Sequence, residues 1–271
     1  MSLVAEAHGS GLPMLCLPGF SLARSAMVAA MEPAVTASSA LRRIYLDLPG
    51  TGQSPGGPAD SDGVVDWVGD FVDREIGSEP FLIAGWSYGG YLAAALARRR
   101  PEQVAGLLLI CHGTRILRTD RDVPTAPVVP EDAEWLADVP PDLRAHLSVA
   151  LGNRTLEAAG RVATVLVAAG TGDEEYLERL RENGYQLSDE GSTMVYPGPT
   201  SIIAGRHDYI AGYADQFRAL ASYPSGSYAA LAEAGHYLPF EQPEAFRGLT
   251  LDWLARCTAA LGVAPLDYPA G

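Results

Sequence analysis

The strongest constraint on the fold is an alternation that runs along the chain, in which short apolar runs are separated by longer stretches of helical periodicity. Strands that read as continuous apolar runs are buried on both faces, and the helical stretches supply the crossovers that parallel neighbours require. Residues 12–17 read as a strand stopped by Pro18 and Gly19, and residues 43–48 as a second one stopped by Pro49 and Gly50. Further strands follow at residues 81–84 and 104–111, and then, much later, at 201–204 and 228–232. Residues 26–35, 62–76, 88–99, 213–221 and about 243–261 carry helical patterns. The clearest has Val64, Val65, Val68, Phe71, Val72 and Ile76 on one face. Residues 3–8 leave room for one edge strand. The expected fold class is therefore α/β, a mostly parallel sheet of about seven to eight strands flanked by helices.

Residues 113–199 break the alternation. They hold no convincing strand, several prolines (Pro124, Pro127, Pro130, Pro140 and Pro141) and three or four helical patterns. In one, residues 155–169, Thr155 is placed to cap the start and Gly170 to stop the end. Another, residues 173–182, has acids in its first turn and Arg179 and Arg181 in its last. A stretch this long is not a bare loop. It reads as a helical cap, 113–199, inserted between two strands of one core formed by 1–112 and 200–271.

Composition narrows the function. The 271 residues carry a formal charge of −14, a field that repels phosphate backbones and anionic lipid, so neither nucleic acid nor a membrane is expected as a partner. The chain has no lysine, which removes Schiff-base chemistry, Ser–Lys dyads and the P-loop lysine. Cys16, Cys111 and Cys257 are widely spaced and fit buried thiols in a reducing compartment; with no signal-peptide pattern at the N-terminus and no apolar run of about 18 residues, a cytoplasmic protein is expected. No His, Cys and Asp cluster has metal-ligand spacing and no GxGxxG occurs, so no metal or cofactor is expected.

Gly85-Trp86-Ser87-Tyr88-Gly89 matches G-x-S-x-G. The pattern alone is weak, but here a strand enters it directly and an Ala-rich helix leaves it directly. A strand-to-helix turn that tight holds its serine in a strained conformation with Oγ exposed above the sheet. Serine at neutral pH needs a base, and the base needs an acid to orient it. Asp208 and His236 each stand just past the carboxyl end of a strand, on the rim where α/β sheets build their sites. Glu233, Asp120 and Asp189 compete with Asp208 for the acid's role.

These stretches, with Leu17-Pro18-Gly19-Phe20, Asp47-Leu48-Pro49-Gly50-Thr51-Gly52-Gln53-Ser54 and Ala234-Gly235-His236, make the chain resemble a serine-nucleophile, esterase-like member of the α/β-hydrolase fold superfamily. The resemblance implies a nucleophile at Ser87, an acid at Asp208 and a base at His236. It also implies an oxyanion hole from the backbone N–H groups of Phe20 and Tyr88, and a bracing role for the Asp47–Ser54 loop. The family's usual His-Gly after the first central strand is Pro18-Gly19 here, which leaves the backbone donors but not the usual side chain.

A Ser triad with an oxyanion hole suits hydrolysis of a carboxylic ester, thioester or lactone. Phe20, Trp86, Tyr88 and His112 are the candidate pocket residues, with His146 in the cap expected to be structural. The cap's apolar residues, Leu143, Leu147, Val149, Leu151, Val162, Val165, Leu166 and Val167, offer a roof in part, although most are explained by packing within the cap. With no evident cluster of Arg at the rim, a small neutral-to-apolar substrate is expected. Two other readings stay open: the same triad used for C–C hydrolysis, lyase or tailoring chemistry, and a ligand-binding signalling protein with a slow triad.

Overall fold

A computed structural model describes residues 3–35 and 40–264; Met1, Ser2, residues 36–39 and residues 265–271, all within the expected core boundaries, lie outside the described residues. Seven strands form one sheet: β1 (Ala5–His8), β2 (Leu12–Leu17), β3 (Leu41–Leu46), β4 (Phe81–Trp86), β5 (Val104–Ile110), β6 (Thr200–Gly205) and β7 (Gly226–Leu231), in the order β1-β3-β2-β4-β5-β6-β7. β1 pairs antiparallel at the edge and every other pair is parallel.

Alternate strand residues feed two cores. Met14, Cys16, Leu82, Ala84, Leu108 and Ile110 face α1 (Arg24–Val35) and α9 (Pro243–Leu261). Leu15, Leu17, Ile83, Leu107 and Leu109 face α2 (Ser61–Glu75) and α3 (Tyr88–Arg99). Burial on both faces explains why these strands read as unbroken apolar runs. Asp60 caps α2 by accepting from the Gly63 N–H at 2.7 Å, as helix starts favour.

Between β5 and β6 the chain forms α4 (Pro141–Ala150), α5 (Leu156–Ala169) and α6 (Glu174–Gly184). Thr155 caps α5, accepting from the Ala158 N–H at 3.2 Å, and Asp173 caps α6 through Tyr176. This segment is tied to the rest of the chain at several points. The Asp173 N–H donates to the Gly50 carbonyl at 2.7 Å, and the Tyr176 hydroxyl donates to the Pro58 carbonyl at 2.9 Å. Leu147, Ala159 and Val162 join one core, and Tyr176, Leu177 and Leu180 join the other. The last part of the chain is α7 (Ala214–Ala219), α8 (Leu238–Glu241) and α9. Among the described residues no helix is long and apolar enough to cross a membrane.

The parallel register brings the ends of five strands to one rim. Leu17 is level with Gly85, Trp86 with Ile110, and Gly205 with Leu231. Phe20, Ser87, Asp208 and His236 all lie one to a few residues beyond those positions, so one edge of the sheet carries all four.

Candidate active site

Ser87 sits at φ 55, ψ −117, a conformation that side chains rarely adopt, at the N-cap of α3. The glycines around it make the turn possible. A Cβ on Gly85 would collide with the Gly89 carbonyl, and one on Gly89 with the Leu17 and Pro18 carbonyls where β2 ends. A Cβ on Gly19 would stand 3.6 Å from the Ser87 Cβ, so the Pro18–Phe20 turn runs beside Ser87. The Phe20 and Tyr88 N–H groups have no intramolecular acceptor among the described residues.

Ser87 Oγ lies 2.9 Å from His236 Nε2, and His236 Nδ1 lies 2.9 Å from Asp208 Oδ2. A carboxylate only accepts, so the Nδ1–H donates to Asp208 and Nε2 is left to accept from the serine hydroxyl. Asp208 is fully buried; its other oxygen accepts from the Ile210 N–H at 2.9 Å and the Ala211 N–H at 2.8 Å. Of the competing acids, Glu233 and Asp120 are exposed and Asp189 pairs with Arg98. His207, beside the acid in sequence, turns to the Tyr209 hydroxyl at 3.0 Å.

The histidine loop is held from both sides. Its backbone N–H donates to the Ala150 carbonyl at the end of α4 at 2.7 Å, and its carbonyl accepts from Trp86 Nε1 at 3.0 Å. Glu241, which sequence reasoning missed, binds this loop to the turn that follows α4. One of its oxygens accepts from the Gly235 and Tyr237 N–H groups (2.9 and 3.1 Å), the other from the Gly152 and Asn153 N–H groups (2.7 Å each). Burial pushes its carboxyl up to about 7, against the pull of these four donors. The available signal was a lone acid in the apolar run Tyr237-Leu238-Pro239-Phe240, five residues after His236. Glu241→Gln turns one acceptor into a donor facing two N–H groups. We expect a loss of about 2–4 kcal/mol, read as a melting temperature lower by roughly 5–10 °C for a chain of this size, with kcat reduced as well. Melting at the wild-type temperature would show that other contacts hold the loop.

The Asp47 loop braces the same rim. Asp47 is fully buried and accepts from the Arg24 N–H (2.7 Å), the Gln53 N–H (2.9 Å) and the Arg24 guanidinium. Gly52, at φ 52, passes so close to this carboxylate that a side chain would collide with it.

Ser87 and His236 open into a cavity of about 380 Å³ whose walls include Phe20, Trp86, Tyr88 and Tyr185. Of the apolar residues expected in the roof, Leu143 and Leu166 line it, while Leu147, Leu151 and Val162 are buried in the core. Two expectations are corrected. His112 does not line this cavity: the chain turns at Cys111, φ 43, and the imidazole faces Gln216 (3.3 Å) in a neighbouring cleft, where burial lowers its pKa to about 4. The rim is also not free of arginine, because Arg121 and Arg181 both line the cavity. His146, expected to be structural, also lines it. It sits 2.7 Å from the Tyr237 hydroxyl and is held near 4, first by burial and then by His236, so it stays neutral through the physiological range.

A family model described as the alpha/beta hydrolase family matches residues 8–249. The pimeloyl-[acyl-carrier protein] methyl ester esterase of Shewanella woodyi is 29% identical over 181 residues, which span 67% of this chain and only 62% of that protein. A 2-hydroxy-6-oxononadienedioate/2-hydroxy-6-oxononatrienedioate hydrolase of Klebsiella pneumoniae is 26% identical, over 83% of this chain and 80% of its own length. The crystal structure of an alpha/beta superfamily hydrolase from Oenococcus oeni superposes with a TM-score of 0.82 at 25% identity, covering 95% of this chain and 97% of that one. With the matched region reaching from β1 through the Ser87 turn to the His236 loop, the chain belongs to the alpha/beta hydrolase family.

Proposed function

We propose that this hydrolase cleaves a small carboxylic ester, thioester or lactone through a Ser87 acyl-enzyme, with the 113–199 insertion acting as the cap over the substrate. The observation that carries this reading is the Ser87–His236–Asp208 chain, with both links at 2.9 Å, opening on a cavity of small-molecule size. Ser87 Oγ attacks the acyl carbon as its proton passes to His236 Nε2. The negative oxygen that forms is received by the Phe20 and Tyr88 N–H groups, the latter at the positive end of α3. The imidazolium then gives its proton to the departing alkoxide or thiolate, and a water activated by the same ring releases the acid. The ester hydrolysed by the Shewanella relative supports this chemistry.

A second reading, C–C bond hydrolysis by the same residues, is favoured by the Klebsiella relative. A panel of p-nitrophenyl esters of graded chain length, run beside 2-hydroxy-6-oxononadienedioate, separates the two. We expect turnover of short to medium esters and none of the dioate. Consumption of the dioate alone would replace the first reading with the second. Labelling of Ser87 by a fluorophosphonate without turnover of any substrate would favour a binding protein with a slow triad.

A further inference from the structure

The chain carries 33 acidic residues against 19 basic ones, yet among the described residues no Asp or Glu lines the catalytic cavity, while two arginines do. Arg121 is the more telling of the two. Its Nε–H donates to the Arg115 carbonyl at 2.8 Å, Nη1 to the Ile210 carbonyl at 2.9 Å, and Nη2 to the Ile116 carbonyl. Among the described residues no carboxylate stands within ion-pair distance of it. Three of its five N–H groups are thus spent on neutral oxygens that fix the plane of the fork and leave its charge uncompensated. The Ile210 link also fixes it to the triad, because the Ile210 N–H donates to Asp208.

Arg181 joins it from the cap. Its guanidinium lies over the Phe20 ring at 4.4 Å from the centroid, and its one ion pair among the described residues, with Glu178, is an exposed contact of 3.2 Å. Tyr185 stands where both guanidiniums act on its hydroxyl, opposing the burial that pushes it up to about 12. Tyr185 lines the cavity, and its hydroxyl has no hydrogen-bond partner among the described residues.

We propose that Arg121, Arg181 and Tyr185 form an anion subsite in the catalytic cavity, and that the substrate is an ester bearing a free carboxylate, such as a half-ester of a dicarboxylic acid. This rests on the hydrolase reading above and replaces the neutral substrate expected from the sequence. A carboxylate matches the fork of two parallel N–H donors that a fixed guanidinium offers, and a neutral ester leaves that charge unanswered. The alternative role for Arg121, a brace between residues 115–116 and the acid loop, predicts no preference for charge.

The test is binding to the Ser87→Ala protein, which needs no turnover. Titration calorimetry compares monoethyl with diethyl esters of straight-chain diacids from succinate to suberate. At the best length the monoethyl ester is expected to bind at least about tenfold tighter than its diethyl partner, and Arg121→Met to bring that ratio to within about twofold. Should Arg121→Met fail to fold, Arg181→Gln and Tyr185→Phe read the same ratio, each lowering it about two- to fivefold. Equal affinity for the two esters at every length, or a ratio that survives these substitutions, overturns the subsite. Failure of the wild-type protein to hydrolyse any ester would instead sink the ester-hydrolysis reading and leave the binding ratio interpretable.

Discussion

Ser87→Ala is expected to lower kcat on a p-nitrophenyl ester by about four to six orders of magnitude and to abolish fluorophosphonate labelling of the chain. The Oγ lies within hydrogen-bond reach of His236 Nε2, at 2.9 Å, and Ser87 lines the cavity. Stability should barely move. The strain at φ 55, ψ −117 belongs to the backbone, so Ala keeps it and loses only one part-buried hydrogen bond, worth about 1 kcal/mol. Ser87→Gly separates the two effects. It removes the nucleophile equally and also relieves the dihedral strain, so it should melt above Ser87→Ala by the equivalent of about 1 kcal/mol. Labelling that persists in either variant, or a rate within a hundredfold of wild type, would assign the chemistry to another residue.

The sheet and the meeting of Ser87, Asp208 and His236 at its rim were legible for the same physical reason. Strands such as Phe81–Trp86, buried on both faces, read as uninterrupted apolar runs, and parallel pairing then brings their carboxyl ends level. Chemistry-bearing residues just past those ends, Ser87, Asp208 and His236, therefore converge without any knowledge of side-chain packing. Boundaries shifted by a residue or two, as with β3 at Leu41–Leu46, because ladders begin where a neighbour pairs and not where hydropathy rises. The cavity walls were not legible, because they depend on how α4, α5 and α6 are oriented over the rim. Hydropathy separates an exposed face from a buried one, but it does not tell Leu143 on a cavity wall from Leu147 in the core. Arg121 lies in an irregular stretch, where no periodicity points a side chain anywhere, and its anchors are backbone carbonyls that carry no sequence signature. His112 was misplaced because it follows the end of a central strand at the rim, and the positive φ of Cys111 turns the chain away from the cavity just before it.

Asp208→Asn is expected to lower kcat by about three to four orders of magnitude, roughly 4–5.5 kcal/mol of transition-state stabilisation, with little change in KM. The local bonding dictates this result. One oxygen of Asp208 accepts from the Ile210 and Ala211 N–H groups, and the other accepts the Nδ1–H of His236. An asparagine must answer the two backbone donors with its single carbonyl oxygen, which turns its NH₂ toward the ring. Nδ1 must then present a lone pair, so the ring proton moves to Nε2 and that nitrogen no longer accepts from Ser87. Ser87, the cavity and the Phe20 and Tyr88 N–H groups are untouched, which is why KM should hold while kcat collapses. Asp208→Ala frees the tautomer from this bias but loses the carboxylate that stabilises the imidazolium, so it should be impaired as well, though not through the same inversion. If Asp208→Asn retained more than about a tenth of the wild-type rate, the ring would have to be oriented by something else. The exposed Glu233 would then be the first residue to replace, and a dead Glu233→Gln would identify it as the acid.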